Sequence, residues 1–478
     1  MPLQNKLPLI SLLALAALAR AITIPTTAPS SAVTVDSSLV SLSLEFFAFP
    51  QYTTLASTTA CLTHLADLRG TPPAVRIGGT TQDRATYDPT LSTAVNYTVA
   101  AAGDAPASLT YGPSFFTLAA GLQGDVTIGL NRQLNNQTNT RAAAVQAKSV
   151  MGNLLAIELG NEPEFYASNS PIVPSGGWNP TADGASQQSW QNALASTTGD
   201  IFQAAVYLQY PTWSTAGLIP RLGSAISHTK TFSGHSYPQS ACGGASTNLP
   251  SLMSHSGIVS YTSQYKSEAA AAHAQGKRYF LGETNSATCG GGGISPTFGA
   301  ALWVVDYVLQ GALNNVERLY FHQGTIGNCQ YCFWGRFTTG APFYGAYFVS
   351  QFLGADGVRL SMLDDGTGAV ATYTVYSASG TPLRALVVNT NYYDGTGTRN
   401  ATSVALDGLS TGTKQAVRLT APAATSRVDQ GAAVTIGGGL TFDGNCKAVG
   451  GETRESVAVA SGTATVTVAA SEALIVFL

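Results

Sequence analysis

Two glutamates, Glu162 and Glu283, close two short apolar runs, and each is introduced by a glycine. The first run reads Ala156-Ile157-Glu158-Leu159-Gly160-Asn161-Glu162-Pro163, and the second Arg278-Tyr279-Phe280-Leu281-Gly282-Glu283-Thr284-Asn285. An apolar run of this length, stopped by Gly and a carboxylate, predicts a buried parallel strand with a charged side chain at its C-terminal tip. In a (β/α)8 barrel, such tips are where reacting groups converge. Two carboxylates so placed are the minimum equipment for cleaving a glycosidic bond. The competing reading, two solvated loop glutamates, is weakened by composition, because charged residues make up only 10% of the chain.

The elements needed to hold those tips are legible along the chain. Alternation over 32–49, including Val40-Ser41-Leu42-Ser43-Leu44-Glu45-Phe46-Phe47, predicts one or two strands ending in a carboxylate and aromatics. Helical spacing follows at 58–69, a strand at 74–79, a helix at 114–120, a strand at 125–130, an Ala-rich helix at 141–152, a strand at 154–158 and a helix at 186–208. A strand end at 231–237, a long Ala-rich helix at 258–275, the Glu283 strand, a helix at 303–311 and a strand at 316–321 complete the series. This alternation implies a parallel sheet, an α/β (β/α)8 TIM barrel over 22–352. Counted from Val40, the Glu162 strand is fourth and the Glu283 strand seventh, with a weak fifth strand placed near Leu218. From residue 353 the texture changes to short alternating strands at 370–376, 383–388, 403–406, 416–419, 433–436 and 464–478. These predict a C-terminal all-β sandwich over 353–478, with which the first strand or strands of 22–39 are free to pair.

The chain has 478 residues and a formal charge of −3 with 23 Lys plus Arg, which leaves no basic footprint for nucleic acid or an anionic membrane. Lys6, the apolar stretch 7–18 and Ala19-Arg20-Ala21 have the layout of a secretory signal over residues 1–21. The apolar stretch is too short to span a bilayer comfortably, so the expected location is extracellular. Sequons at Asn96, Asn136 and Asn400 predict N-glycosylation. Six cysteines in an exported chain favour disulfides over zinc, with Cys289, Cys329 and Cys332 as candidates for tethering loops. Cys329-Gln330-Tyr331-Cys332 has no second such pair to complete four zinc ligands, and the histidines show no H-x3-H spacing. No metal or other cofactor is expected, and nothing sets an oligomeric state.

The segment Glu158-Leu159-Gly160-Asn161-Glu162-Pro163 resembles the N-E-P signature of clan A retaining glycosidases. More closely, residues 40–345 are similar to glycoside hydrolase family 79, in its fungal secreted β-glucuronidase branch. The matching pieces are Ser43-Leu44-Glu45-Phe46-Phe47, Val75-Arg76-Ile77-Gly78-Gly79-Thr80-Thr81-Gln82-Asp83, 158–164, Gly234-His235-Ser236-Tyr237, Leu281-Gly282-Glu283-Thr284-Asn285 and Tyr320-Phe321-His322-Gln323-Gly324-Thr325. The resemblance implies Glu162 as acid/base and Glu283 as nucleophile, with Arg76 and Tyr237 beside the nucleophile and Asn161 on the sugar 2-hydroxyl. It implies Glu45 and Asp83 as acceptors of sugar hydroxyls. Arg76 reads otherwise as a barrel-floor ion pair, Tyr237 as a core aromatic and Asp83 as a helix N-cap. Tyr331, in Gln330-Tyr331-Cys332-Phe333-Trp334, matches the position that holds a uronate carboxylate, with Trp334 beside it. No tyrosine stands in 284–289, a departure from the family pattern. The implied substrate is a carbohydrate bearing terminal β-linked glucuronic acid, with or without a 4-O-methyl group, cleaved by a retaining exo-acting enzyme. A heparanase-like endo-β-glucuronidase and a non-catalytic sugar-binding protein on the same fold are the alternatives. The lysines nearest the strand-tip motifs, Lys230 and Lys277, fall at the opposite ends of their strands. A uronate is therefore expected to meet neutral donors, Tyr331 and the backbone amides of 324–331.

Overall fold

The computed structural model describes residues 20–335 and 338–478. The signal-peptide reading falls on 1–19, outside the described residues, apart from the cleavage-site residues Arg20 and Ala21. Eight strands close a barrel in which every neighbouring pair is parallel: β1 (Val40–Glu45), β2 (Val75–Gly78), β3 (Val126–Leu130), β4 (Leu154–Leu159), β5 (Phe202–Tyr207), β6 (Thr229–Ser236), β7 (Arg278–Thr284) and β8 (Arg318–Gln323). β8 pairs with β1 through Leu319 and Val40, which shuts the sheet on itself and leaves no edge. Their residues are buried almost throughout because helices cover the outer face, so the runs are apolar on both sides. Glu162 follows β4, and Glu283 sits within β7.

The fifth strand differs from its expected place. Leu218 lies in a helix, Thr215–Leu222, and β5 is Phe202–Tyr207. The preceding helix, Pro180–Thr198, stops at Gly199, whose φ of 75° lies in the left-handed region that glycine tolerates. Gln203, Ala204 and Ala205 are good helix formers, so propensity alone extended the helix through the strand; the pairings to β4 and β6 override it. The segment 258–275 likewise divides into two helices, His255–Thr262 and Tyr265–His273.

The strands beyond 353, joined by two from the start of the described chain, form an eight-stranded and a three-stranded sheet, and Thr441–Phe442 pairs with Ala448–Val449 apart from both. Arg20–Thr23 runs parallel to Ala401–Asp407, and Val33–Thr34 pairs with Arg359–Met362, so the chain starts in this layer before entering the barrel. The expected strand at 464–478 divides in two, Thr463–Ala469 in the three-stranded sheet and Glu472–Phe477 in the eight-stranded one, with Ser471 at φ 55° between them. Helices Phe298–Leu313 and Ala341–Leu353 lie between barrel and large sheet; from Phe298 to Ala312 every residue of the first is buried. Apolar residues all around this helix meet β8 on one side and the sheet on the other, giving one continuous core. The Cys61–Cys446 disulfide joins the barrel helix Ala56–Arg69 to the β layer. Inside the same interface His255 Nδ1 lies 2.8 Å from Asp306 and its Nε2 3.0 Å from Asp364, all three side chains buried. No helix among the described residues is long and apolar enough to cross a membrane.

Candidate active site

Arg76, from β2, lies inside the barrel with no exposed surface. Its Nη1 donates to Glu283 at 2.8 Å and to Ser43 Oγ at 3.0 Å; its Nη2 donates to Glu158 at 2.5 Å and to Asn161 Oδ1 at 2.8 Å. Glu158 also accepts from Arg76 Nε at 3.1 Å and from Gln203 Nε2 at 2.7 Å. A buried guanidinium is tolerated only when paired and hydrogen-bonded, and here its planar fork spans two carboxylates on opposite sides of the barrel. Arg76 thus sits beneath the site rather than in it.

Glu283 accepts at both oxygens, from Arg76 and from the Tyr237 hydroxyl at 2.7 Å. Burial alone would raise its pKa. The positive charges of His322 and Arg76, with the Tyr237 hydrogen bond, overturn that and hold the carboxyl well below the usual range. Glu162 stands opposite, one of its carboxyl oxygens within 4.8 Å of one on Glu283. Burial, and then the Glu283 charge, push Glu162 up to about 8. Its Oε1 lies 2.8 Å from Nδ1 of His235, whose own pKa burial lowers to about 4, so the imidazole is neutral. The two carboxyls therefore rest in opposite states at neutral pH, Glu162 protonated and Glu283 ionised. Glu162, His235 and Glu283 each bring one ligand atom within 4.8 Å of the others, and both Glu283 oxygens already accept hydrogen bonds, from Arg76 and Tyr237.

The loop after β4 makes this arrangement through backbone geometry. Glu162 adopts φ 42°, a strained setting for a side-chain-bearing residue. Gly160, at φ 83°, has the Tyr166 hydroxyl where a Cβ would stand, 2.2 Å away, so no other residue fits. Asp83 braces the turn. Its Oδ2 accepts from Asn161 N at 2.7 Å and from the Tyr166 hydroxyl at 2.8 Å, and its Oδ1 accepts from Arg132 N at 2.9 Å.

A cavity of about 1060 Å³ opens above the pair. Of the residues expected to bind substrate, Glu45, Tyr237 and Tyr331 line it together with both glutamates. Asp83 does not: it is 3% exposed, and its oxygens accept from the loops after β3 and β4. Trp334 also stands away from the cavity lining. It is 1% exposed and donates to Thr58 Oγ1 at 2.9 Å, a packing contact with the helix Ala56–Arg69. Asn161 is 7% exposed at the edge, its Oδ1 held by Arg76. The sequence alone assigns no role to His235, His322 or Glu158, although all three stand in the quoted motif pieces and Glu158 also ends an apolar run as a lone carboxylate. His322 lies between Glu45, 3.3 Å from its Nε2, and Glu283, 3.7 Å from its Nδ1. Burial opposes its positive charge, but the two carboxylates outweigh that and raise its pKa.

Disulfides shape the rim. Cys242–Cys289 ties the loop after β6 to the loop after β7, and Cys329–Cys332 closes the turn bearing Tyr331. Asn328 Nδ2 donates to Gly103 O at 2.9 Å and so joins the loop after β8 to the excursion after β2. No Lys or Arg stands among the described lining residues. Within 324–331, the amides of Gly324, Asn328 and Gln330 are used internally, which leaves Thr325, Cys329 and Tyr331 as lining residues whose N–H has no partner among the described residues. The asparagines of all three sequons are exposed, Asn136 also capping the helix Gln137–Val150.

Residues 372–475 match the family model described as glycosyl hydrolase family 79 C-terminal beta domain. A β-glucuronidase of Aspergillus niger is 32% identical over 389 residues, 73% of this chain and 71% of that protein. A β-glucuronidase of Neurospora crassa is 30% identical over 407 residues, 76% of this chain and 71% of the other. Among solved structures, a 4-O-α-L-rhamnosyl-β-D-glucuronidase from Fusarium oxysporum 12S, in complex with Rha-GlcA, is 48% identical with a TM-score of 0.93. That alignment covers 96% of this chain and 100% of the relative.

Proposed function

We propose, from the premise that this chain belongs to glycoside hydrolase family 79, that it is a secreted, retaining exo-β-glucuronidase acting on terminal β-linked glucuronic acid. The observation that carries this reading is the pairing of a protonated Glu162 with an ionised Glu283 whose oxygens come within 4.8 Å. Retaining enzymes hold their carboxyls about 5–5.5 Å apart, whereas inverting ones leave about 6.5–9.5 Å for a water.

In the first step Glu283 attacks the anomeric carbon while Glu162 gives its proton to the departing glycosidic oxygen. The product is a glycosyl ester on Glu283 and a free alcohol. In the second, Glu162, now a carboxylate, takes a proton from water as that water attacks the same carbon and displaces Glu283. Arg76 and Tyr237 keep Glu283 ionised and oriented, His235 orients Glu162, and Asn161 presents its amide to the 2-hydroxyl. Glu45, with His322, receives sugar hydroxyls. The uronate meets the Tyr331 hydroxyl and the amides of Thr325, Cys329 and Tyr331, neutral donors that suit a cavity whose described lining lacks Lys and Arg. That lining also disfavours a sulfated polymer, and the Asn328–Gly103 bridge walls one end of the cleft, as an exo-acting site requires.

A second reading concerns the cap. The cavity runs past Glu45 to Thr80, Gly103, Ala105 and Asn328, which leaves room beyond a single uronate for a 4-O-substituent such as the rhamnose of the Fusarium relative. Hydrolysis of a panel of aryl glycosides, with and without 4-O-methyl or 4-O-rhamnosyl groups, tests both readings. β-Glucuronic acid as the first product seen by NMR supports retention, and the α-anomer refutes it. Uronate and galactoside substrates cleaved equally well would refute glucuronidase specificity.

A further inference from the structure

Seven large apolar side chains stand exposed among the described residues, and two of them, Phe165 at 53% and Tyr210 at 37%, line the active-site cavity. Phe165 ends the short turn Pro163–Phe165 that begins at Glu162, and its amide donates to Glu162 O at 3.0 Å. Its neighbour Tyr166 turns inward onto Trp178, ring centroids 5.8 Å apart, which fixes the turn and leaves Phe165 outside the packing. Tyr210 stands on the loop after β5. Ala205 and Val206 adopt φ of 72° and 67°, shifting the register of β5 against β6 and redirecting the chain so that Leu208, Gln209 and Tyr210 all face the cavity.

The two loops are bolted together. Glu164, between Glu162 and Phe165, accepts from the amides of Leu208 and Gln209, the latter at 2.9 Å. Trp178 Nε1 holds Pro163 O at 2.8 Å. Two aromatic rings are therefore presented to solvent on a rigid base beside one wall of a sugar cleft. An aromatic face open to a sugar cleft offers a rigid apolar surface that the C–H face of a ligand can cover.

We infer that Phe165 and Tyr210 form the subsite for the leaving-group sugar, a hexopyranoside whose C–H face stacks on the rings. The direction follows from chemistry. An acid must reach the departing oxygen, so the aglycone lies on the side of the residue that protonates it. Phe165 is three residues from Glu162, and Glu164 ties Tyr210 to the same turn. This assignment rests on Glu162 being the acid of the proposed glucuronidase.

The test compares Phe165→Ala and Tyr210→Ala with wild type on methyl β-glucuronide and on a glucuronyl-β-1,6-galactobiose. The ratio of kcat/KM on the trisaccharide to that on the methyl glycoside should fall by about tenfold or more, the change that ~1.4 kcal/mol of lost binding produces. Phe165→Tyr and Tyr210→Phe, which keep the rings, should restore the ratio. An unchanged ratio in either alanine variant overturns the subsite, and so does a loss that the ring-preserving variants fail to restore. Calorimetry with β-1,6-galactobiose alone separates this inference from the glucuronidase reading. Binding by wild type and its loss in the alanine variants supports the subsite even if no glucuronide is cleaved. Absence of binding to wild type overturns it even if glucuronides are.

Discussion

Glu283→Gln should lower the pKa of Glu162. The two carboxyls share an oxygen separation within 4.8 Å, and the Glu283 charge is the second cause, after burial, of the Glu162 value of about 8. Two unit charges at that distance repel by roughly 3.5 kcal/mol at an effective dielectric of about 20. Since about 1.36 kcal/mol corresponds to one pH unit, and Arg76 offsets part of the repulsion, neutralising Glu283 should bring Glu162 down by roughly one to two pH units. In the proposed mechanism the same change would accompany turnover: esterification would remove the Glu283 charge, so Glu162 would become easier to ionise when it must act as base. Titration of Glu162 by carbon-13 NMR in wild type and variant measures the effect directly. The kinetic counterpart is an alkaline limb in kcat/KM. The active form carries the proton, so activity is full well below pH 8 and is lost as pH rises through about 8; Glu162→Gln should remove that limb. Glu162 titrating near 8 in Glu283→Gln would show that burial alone sets it. An alkaline limb surviving in Glu162→Gln would refute its assignment as the acid.

Glu283→Ala should abolish turnover on every leaving group. Glu162→Ala should retain activity on good phenolate leaving groups while losing about 10²–10⁴-fold on alkyl glycosides; rates across a leaving-group series check this, and equal losses in both variants count against it. Tyr331→Phe should reduce kcat/KM on glucuronides roughly ten- to a hundredfold, as loss of one hydrogen bond to a charged group implies, with a smaller effect on any β-glucoside turnover; parallel losses would make Tyr331 a packing residue. His255 is held up at about 10, where hydrogen bonds and charges of Asp306 and Asp364 outweigh its burial. Its folded value exceeds the unfolded one, so its stabilisation is complete below about pH 6.5 and is lost as pH rises through about 10. His255→Gln should destabilise the fold by about 3–5 kcal/mol, because two buried carboxylates lose their partner. Denaturant melts at pH 7 and pH 10 should show the gap between variant and wild type narrowing at the higher pH.

The barrel, the β layer after it and the two glutamates were legible in the sequence because each rests on local pattern. A buried parallel strand must be continuously apolar, so a carboxylate at its end stands out, as in 154–162 and 278–283. The ordinal positions of Glu162 and Glu283 survived the misplaced fifth strand, since exchanging the Leu218 region for Phe202–Tyr207 leaves the count unaltered. That strand was hidden because its alanines and Gln203 suit a helix equally well, and pairing partners remote in sequence decide between them. Which polar residues face the cavity was likewise a tertiary decision. Asp83 and Arg76 stand seven residues apart in one motif, yet both turn away from the cavity: Asp83 to brace the Glu162 turn and Arg76 to bridge Glu158 and Glu283. The protonation states were decided there too. Two identical glutamate side chains differ in protonation only through their surroundings. The difference arises when folding sets one beside Arg76 and His322 and the other against a neutral His235, facing a charge it cannot share.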